Sequence, residues 1–486
     1  MASLYSVLLR WLEKNRGIIV VLVVLPLSVV FSAYVRLRQA ALRWLAAGPQ
    51  LHDSRVIKIQ AQVKRWAQRK PSERKLLCTA RPNWQSLSTT FFRKDLCEQI
   101  SLPLYNILNL DEKNLVLRVE PLVTVGQVTS YLVPRGYTLA VCLEVAEATL
   151  GGLAMGVGMT TYSHKVGLYQ ESVVSYDVVL GDGSLVTATA TNDHSDLYYT
   201  LPWSHGTLGF LVALELKIIR IKPHLKLEYI PVRGQKQYCD LMRRVSGALD
   251  ASAPTPDYVE ATVFSKHSAV VMVGTFSDVP DHERHKVIPF CNNPFFRYLF
   301  GFLLPPKIAF LKFTTTPGVR AMTFTKQVFQ DIVLPMNQLE DQINKSEELF
   351  DIYPLLVYPC RIYDHGPNRG QLRPPRQDQL VPGARYAMFN DLGVYGVPRP
   401  VMLKKPYDAV KHMRLMERFT RDCGGYAFLY ADTFMTRQEF EEMFDLTAYE
   451  RCRTKYCAEG AFPHLYDKTK PEIDVVEVGK RYIDPL

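Results

Sequence analysis

The run T-L-G-G-L-A-M-G-V-G-M-T-T-Y-S-H-K-V-G, residues 149–167, decides how the rest of the chain is interpreted. Four glycines fall within the eight positions 151–158, and Thr160, Thr161 and Ser163 follow them. Glycine allows positive φ and a close approach of the backbone to a ligand, while hydroxyl and amide groups donate to phosphate oxygens. This glycine run therefore has the chemistry of a pyrophosphate cradle, although a tight turn or a packed bulge can have the same glycine spacing.

The glycine run differs from the G-x-G-x-x-G fingerprint of dinucleotide-binding folds. No long helical pattern follows Gly158, and no acidic residue ends a second strand about twenty positions later. Asp177 lies at about that distance, but inside the strand-like residues 173–180. We therefore set a Rossmann fold aside.

The segments before the glycine run predict regular secondary structure that would hold it in place. Residues 76–79 and 138–141 are strand-like, and Arg81 follows the first of them in an A-R-P turn. Thr124 and Gln127 have the spacing of a capping box that opens a helix. The predicted order is strand, helix, strand and glycine loop.

The segments after the glycine run predict a hairpin and a second glycine-bearing turn. Residues 173–180 and 185–189 flank G-D-G-S at 181–184, a strong hairpin signal. Residues 203–209, W-S-H-G-T-L-G, lead into an alternating strand pattern at 212–218. Two glycine turns mounted on strands are thus expected.

Composition predicts a folded, membrane-associated protein. The 486 residues are 47% hydrophobic and carry a net charge of +10. The basic residues are dispersed without a nucleic-acid-binding module, so an anionic membrane surface is the expected partner and nucleic acid is not. Nine cysteines without C-x-x-C spacing predict reduced thiols and no metal site.

An apolar stretch near the N-terminus predicts a membrane anchor. Residues 17–35 are uncharged, and as a helix they would span about 28 Å, close to the apolar thickness of a bilayer. A cleaved signal peptide is the alternative, but basic residues follow the stretch immediately. Basic residues flank it on both sides, so charge does not decide its orientation.

Five motifs in this order resemble the delta(24)-sterol reductases. The resemblance extends from the anchor to about Asp467. The motifs are C-T-A-R-P at 78–82, R-V-E-P-L-V-T-V-G-Q at 118–127, the glycine run, S-D-L-Y-Y at 195–199 and P-W-S-H-G-T-L-G at 202–209.

The resemblance implies an α+β fold with three parts. An N-terminal segment, residues 1–45, would carry the anchor. Residues 46–222 would form an FAD-binding domain of the PCMH type found in vanillyl-alcohol oxidase, built from two α/β subdomains. Residues 223–486 would form a shortened α+β substrate (cap) domain with the C-terminal region.

The resemblance also implies which residues hold FAD without a covalent bond. His164 and His205 are expected to be local hydrogen-bonding residues, although covalent attachment through His164 is an alternative. The implied FAD-binding residues are Arg81, Thr149, Leu150, Gly151, Gly152, Leu153, Ala154, Met155, Gly156, Val157, Gly158, Met159, Thr160, Thr161, Ser204, Gly206, Thr207 and Gly209.

The activity implied by the resemblance is NADPH-dependent reduction of a sterol side-chain double bond. Such a reaction needs a hydride from the flavin and a proton for the other carbon. Tyr395, Tyr430 and Asp432 are the candidate catalytic residues. The expected location is the endoplasmic reticulum membrane, with a single pass and the catalytic part in the cytosol.

Two features of the second half bear on this activity. Residues 290–313 contain seven phenylalanines and predict either a membrane contact, the mouth of a lipid tunnel, or a buried aromatic core. Near residues 285–288 the chain lacks several tens of residues that are usual in the resembled family. Two alternatives therefore stay open: a flavin oxidase of a small alcohol or aldonolactone, and a sterol- or flavin-binding homologue with impaired catalysis.

Overall fold

The computed structural model describes residues 11, 18, 20–46, 48–90, 92–278, 308–315 and 326–470. The chain divides into two compact units. The smaller comprises Met1–Ala47, Pro82–Leu87 and Pro280–Thr316, and the larger comprises Gly48–Arg81, Ser88–Val279 and Pro317–Leu486. Helices and sheets are mixed along the chain, which confirms the predicted α+β class.

Elements are numbered along the chain. The strands are β1 (Leu77–Thr79), β2 (Glu98–Ile100), β3 (Ile107–Asp111), β4 (Val116–Val119), β5 (Tyr137–Leu139), β6 (Val173–Val179), β7 (Leu185–Thr189), β8 (Phe210–Arg220), β9 (His224–Arg233), β10 (Tyr258–Ser265), β11 (Ser268–Ser277), β12 (Val328–Pro335), β13 (Leu355–Tyr363), β14 (Tyr386–Gly396) and β15 (Tyr426–Ala427). The α-helices are α1 (Leu25–Leu45), α2 (His52–Ala67), α3 (Val125–Leu132), α4 (Leu150–Gly156), α5 (Ser163–Val166), α6 (Ser195–Thr200), α7 (Gln235–Val245), α8 (Ile308–Thr314), α9 (Leu339–Leu349), α10 (Arg399–Met402), α11 (Ala409–Asp422), α12 (Arg437–Met443), α13 (Thr447–Lys455) and α14 (Leu465–Thr469).

The smaller unit contains the apolar helix near the N-terminus. A continuous helix over Val21–Leu45 has a mean hydropathy of 1.8 and is long and apolar enough to cross a membrane. It extends beyond the expected end at residue 35. Phe31 on this helix packs against Trp84, Phe310 and Phe313, with ring centroids 5.0 to 5.5 Å apart.

Only the end of the aromatic stretch 290–313 falls within the described residues. Phe310 is buried, whereas Phe313 is 59% exposed, so this end combines a packed and a solvent-facing aromatic side chain. The rest of the stretch and the position of the expected missing segment, residues 285–288, lie outside the described residues.

The larger unit is built on two antiparallel sheets and one short parallel pair. One sheet has the order β3-β4-β8-β6-β7, with β5 pairing with β8. The other has the order β15-β12-β14-β13-β10-β11-β9. β1 and β2 form the parallel pair. The two sheets take their strands from either side of residue 222, where the domain boundary remains a prediction.

Local signals near the glycine run are confirmed. Thr124 and Gln127 form the expected capping box at the start of α3. β6 and β7 pair from Val179 opposite Leu185, and Ser184 N donates to Asp182 Oδ1 at 2.8 Å in the turn between them. The capped helix α3 precedes the glycine run and the β6–β7 hairpin of the first sheet follows it.

The C-terminal helices pack onto the first half of the chain. The predicted division assigns them to the substrate domain and does not include this packing. Leu77 N donates to Ala461 O at 2.7 Å, and the Thr207 and Tyr449 hydroxyls are 2.7 Å apart. The buried Arg453 donates to Thr207 O at 3.4 Å and to Pro463 O at 3.1 Å. The C-terminal segment is therefore part of the surroundings of the second glycine turn.

Candidate active site

The glycine run begins with a turn pressed against a neighbouring loop. Leu150 N donates to Val123 O and Gly151 N donates to Pro121 O, both at 2.9 Å. A Cβ at position 151 would lie 2.5 Å from Pro121 Cβ and 3.0 Å from the Pro121 carbonyl oxygen. Only glycine permits this approach, so Gly151 is required by packing.

Helix α4 ends inside the glycine run, and the residue after it has a strained backbone conformation. Val157 has φ 68° and ψ 157°, a region that is essentially restricted to glycine. The neighbouring Gly158 O accepts a 2.8 Å hydrogen bond from Tyr169 N, which helps to hold the backbone. Such strain costs about 1–3 kcal/mol and is concentrated at functional sites.

The apolar side chains of the run point into the core. Leu150, Leu153, Ala154, Met155, Val157 and Met159 are all buried. Of the predicted FAD-binding positions here, these six can contribute little beyond their backbone groups. Thr160 N donates to Ser163 Oγ at 2.9 Å, so this end of the run is also closed by an internal bond.

The second glycine turn is bonded to the first. Its residues Trp203, His205 and Gly206 all have φ between 50° and 72°. His205 N donates to Met155 O at 2.9 Å, and a Cβ at Gly206 would lie 3.6 Å from Met155 Sδ. The structure therefore brings Gly206 beside the glycine run.

The other predicted residues of the second turn have internal roles. Ser204 Oγ donates to Leu201 O at 2.6 Å, and Thr207 Oγ1 donates to Ser204 O at 2.7 Å. A Cβ at Gly209 would lie 2.4 Å from Val178 Cγ1, so this glycine serves packing against β6. Ser204, Thr207 and Gly209 shape the turn, and their FAD contact remains a prediction.

Two basic side chains meet at the start of the glycine run. Arg81 Nη1 donates to Thr149 Oγ1 at 3.3 Å, and burial lowers the pKa of Arg81 to about 10. Lys94 Nζ donates to Arg81 O at 2.6 Å and to Thr79 O at 3.0 Å. Burial, followed by the nearby Arg81 charge, lowers the Lys94 pKa to about 8.

A third cation comes from the end of the chain. The amine of Lys468, on α14, would lie 3.8 Å from a Cβ at Gly206. The residue is partly exposed, but enclosure of its amine lowers the pKa to about 8, with the Lys94 charge adding to the effect. We call Arg81, Lys94 and Lys468 the cradle cations.

The cradle cations are the feature that fits a bound diphosphate. Within the described ranges, neither Lys94 nor Lys468 forms an ion pair with a carboxylate. Burial raises the pKa of the neighbouring Cys78 to about 11, so this thiol does not neutralise them at pH 7. Buried cations without a carboxylate partner are stabilised by an anionic ligand.

The two histidines differ. His164 Nδ1 lies 3.1 Å from Thr161 O and its Nε2 lies 2.9 Å from Pro256 O, the local bonding that we expect. The buried Nε2 of His205 has no hydrogen-bond partner among the described residues, contrary to expectation. Burial lowers the His205 pKa to about 3, so this ring is neutral beside the cradle.

Two of the three candidate catalytic residues meet at one carboxylate on the second sheet. The hydroxyl of Tyr395, on β14, donates to the carboxyl group of Asp331 on β12, and Tyr430, after β15, interacts with the same carboxyl group. Asp331 is 3% exposed, and burial raises its pKa to about 6. A carboxyl group that holds two phenols can receive and return a proton.

A second buried carboxyl group lies beside the first. Asp391, on β14, is paired across the sheet with Val333, two positions from Asp331. Its Oδ1 has no hydrogen-bond partner among the described residues. Burial and the Asp331 charge raise its pKa well above the ordinary range. We call Asp331 and Asp391 the sheet acids; they are stabilised when protonated.

Asp432 does not join the sheet acids. Its Oδ1 accepts a 2.6 Å hydrogen bond from Thr89 Oγ1, and its backbone N donates to Phe329 O at 3.2 Å. Thr89 N donates to Tyr430 O at 2.8 Å. Asp432 thus fixes the loop that carries Tyr430.

Contacts connect the glycine run to the second sheet. Val259 N, on β10, donates to Thr161 O at 2.9 Å. The next residue, Glu260, bonds through its carboxyl group to Tyr358, which pairs with Asp391 across β13 and β14. Glu144, shortly before the glycine run, interacts with Glu260, and burial raises the pKa of both carboxyl groups.

Sequence reasoning missed Lys94, Lys468, Asp331 and Asp391. The acids had a usable signal, because each stands among apolar residues in a strand-like segment, V-F-Q-D-I-V-L at 328–334 and M-F-N-D-L-G-V at 388–394. Charged residues are rarely buried without a function. The lysines had no local signal, since their surroundings depend on distant parts of the chain.

A family model for an FAD binding domain matches residues 69–189, which include Arg81 and the glycine run.

Three relatives are all delta(24)-sterol reductases. Those of Homo sapiens and Mus musculus are each 35% identical to this chain, with 94% of this chain and 94% of the relative covered. The Pisum sativum protein is 32% identical, with 97% of this chain and 94% of the relative covered. The human alignment has 507 positions, more than the 486 residues of this chain, so some residues of that relative have no counterpart here. The chain belongs to the delta(24)-sterol reductase family of oxidoreductases and contains an FAD-binding domain.

Proposed function

We propose that the chain reduces the delta(24) double bond of a sterol side chain, using non-covalently held FAD and NADPH as the hydride donor. The observation that carries this proposal is the arrangement of two complementary regions in one unit: buried cations at a glycine cradle, of which Lys94 and Lys468 have no carboxylate partner among the described residues, and protonatable acids on the adjoining sheet. The names of the relatives supply the substrate class.

The cradle would bind the diphosphate of FAD. Backbone groups of the glycine run and of the second glycine turn that are not used in internal hydrogen bonds would face it, and the cradle cations would neutralise it. When bound, FAD supplies the hydride to one carbon of the alkene. The non-covalent attachment is supported by His164, because both of its ring nitrogens are occupied by carbonyl oxygens.

The other carbon needs a proton, which the second sheet would supply. Tyr430 or Tyr395 would donate its phenolic proton, and a protonated Asp331 would then return a proton to the phenolate. Asp391 would refill Asp331, since both acids hold protons at higher pH than exposed aspartates. Asp432 would act through the position of Tyr430 rather than by transferring a proton.

The location follows from the substrate and the anchor. A sterol resides in membranes, and the helix over Val21–Leu45 can cross one. We propose a single pass in the endoplasmic reticulum membrane, with the larger unit in the cytosol where NADPH is available. The predicted membrane-lipid contact of the aromatic stretch belongs to the same proposal.

The test is an anaerobic flavin cycle with the purified full-length protein. NADPH should bleach the bound flavin, and a delta(24) sterol should restore its absorbance and appear as the saturated sterol. Flavin that is bleached but reoxidised only by oxygen, with uptake of oxygen on sugar lactones or small alcohols, would indicate the oxidase alternative. Bound flavin that never cycles would indicate a binding homologue impaired by the segment missing near residues 285–288.

A further inference from the structure

The larger unit contains a cavity that neither the cradle nor the sheet acids line. Its volume is about 220 Å³. It lies between residues of β6, β8 and α6 and the end of β13 with the loop that follows. Sites that enclose a whole drug-sized ligand usually measure about 300 to 1,000 Å³. This cavity therefore suits one arm of a larger molecule.

The lining of the cavity is positively charged. Lys217, Arg361 and Arg369 line it, and in the part of the chain that the structure describes none of them pairs with a carboxylate. The acidic Glu171 is already bound, since its Oε1 lies 3.0 Å from His365 Nε2. The two arginines instead lie over tyrosine rings, Arg369 at 4.7 Å from the Tyr199 centroid.

Three buried polar atoms of the lining lack a hydrogen-bond partner among the described residues. They are the Tyr176 hydroxyl, Arg361 Nε and Gln371 Oε1. Tyr176 and Gln371 are at most 1% exposed. Gln371 Nε2 donates to Thr200 O at 3.0 Å, which fixes its amide so that Oε1 is the atom left without a donor. Unsatisfied buried groups are costly, so this arrangement is expected to receive ligand donors and acceptors.

We propose that this cavity binds the adenosine 2′-phosphate arm of NADPH. This inference rests on the proposed use of NADPH. A phosphomonoester matches the planar guanidinium groups of Arg361 and Arg369. Tyr199 and Tyr363 line the cavity, with Arg369 over the first ring and His365 stacked on the second, so a purine would pack against these aromatic and cationic groups. Gln371 Oε1 would accept from the exocyclic amine of adenine.

The cavity is joined to the flavin region by the chain itself. Leu168 lines it and directly follows the glycine run, while Trp203 lines it and directly precedes Ser204 of the second turn. At Gly167 a Cβ would lie 3.0 Å from Tyr363 Cε2, so the end of the run is packed against the cavity wall. A dinucleotide anchored here by one arm has its other arm free to reach the flavin.

The experiment uses full-length, FAD-loaded protein and adenosine 2′,5′-bisphosphate as the probe. Calorimetric titration should show binding that NADPH competes away. Arg361→Gln and Arg369→Ala should each weaken it about tenfold or more, as expected for a lost hydrogen bond to a charged group. Arg376→Ala is the matched control, since this exposed arginine of the same loop pairs with Asp378 and lies outside the cavity.

Steady-state kinetics add a readout that a structural defect would not give. In the two arginine variants, KM should rise for NADPH more than for NADH, because NADH lacks the 2′-phosphate. Unchanged probe affinity in both variants, or loss of FAD from them, would overturn the proposal. So would binding that inorganic phosphate reproduces fully. If NADPH never reduces the wild-type flavin while the probe still binds through these arginines, the reductant assignment fails and a phosphonucleotide site remains.

Discussion

The cradle cations and the sheet acids are two buried polar groups with opposite needs. At the cradle, burial lowers the pKa of Arg81, Lys94 and Lys468. On the sheet, burial raises the pKa of Asp331 and Asp391. Both shifts reflect the free-energy cost of a charge removed from water. A bound anion would stabilise the first group and a bound proton the second, and the proposed flavin-dependent alkene reduction needs both.

The largest expected effect comes from Asp331→Asn. Asparagine has the same shape but cannot return a proton to the phenols, so sterol reduction should slow by about 10²- to 10⁴-fold while FAD stays bound. The measurement is the rate of flavin reoxidation by sterol after chemical reduction. Glu417→Gln is the control, because Glu417 is another buried acid whose pKa burial raises to about 8, but it bonds to Phe434 N. An equal loss in both variants would contradict the role of Asp331.

Gly151→Ala should disrupt the other region. Its Cβ would lie 2.5 Å from Pro121 Cβ, and overpacking of about 1–3 kcal/mol corresponds to about 5- to 150-fold weaker FAD binding. Flavin absorbance per mole of purified protein measures the loss. Gly383→Ala is the control, since it strains the backbone at φ 77° with no atom within 4 Å of the new Cβ and lies outside the glycine run. Full flavin content in the Gly151 variant would remove the packing argument.

Lys468→Met tests whether the cradle cations await an anion. FAD affinity should fall about tenfold, the loss of one charge-assisted hydrogen bond, while the flavin-free protein should melt at a higher temperature because a buried charge is gone. Lys470→Met, two positions further along, removes an exposed partner of Asp467 and should change neither property. A lower melting temperature of the flavin-free Lys468 variant would show that the charge is already compensated.

The smallest effect is a pH dependence of FAD binding. Without ligand, Lys94 and Lys468 have pKa values near 8, below the ordinary value for lysine. At lower pH both lysines are already charged before a diphosphate binds. Above pH 8 they are mostly neutral, so they must take up protons when FAD binds. FAD affinity should therefore decline as pH rises from about 7 to about 9, by at most about tenfold for each lysine. Fluorescence titration measures this, and Lys468→Met should flatten the curve.

The signals around the predicted cradle are local in the sequence, and the structure confirms the secondary-structure ones. The cluster of glycines at 151, 152, 156 and 158 by itself indicates a close approach of the backbone. The capping box of Thr124 and Gln127 by itself indicates the start of a helix. Arg81 could be placed in the site only through the resemblance, and the structure then gives it a contact with Thr149.

The remainder depends on contacts between distant segments. Lys468 reaches the cradle because the C-terminal helices fold back onto the first half of the chain. No periodic pattern in the sequence predicts this long-range packing. The sequence indicates Tyr395 and Tyr430 but not the carboxyl group that they share. Asp331 reaches Tyr395 because their strands are paired, and it reaches Tyr430 through the position of a loop. Asp432, the third candidate, looks equivalent in sequence but bonds to Thr89 instead.

The hydrogen bond from Leu77 to Ala461 has a consequence for biosynthesis. It joins a strand made early with a segment that is synthesised several hundred residues later, and Lys468 lies only a few residues further along. Contacts of such long sequence separation form late in folding. Lys468 must therefore leave the ribosome before the cradle cations can come together, so we expect cofactor uptake to follow the synthesis of this residue, and a chain that stops before Lys468 should bind FAD more weakly.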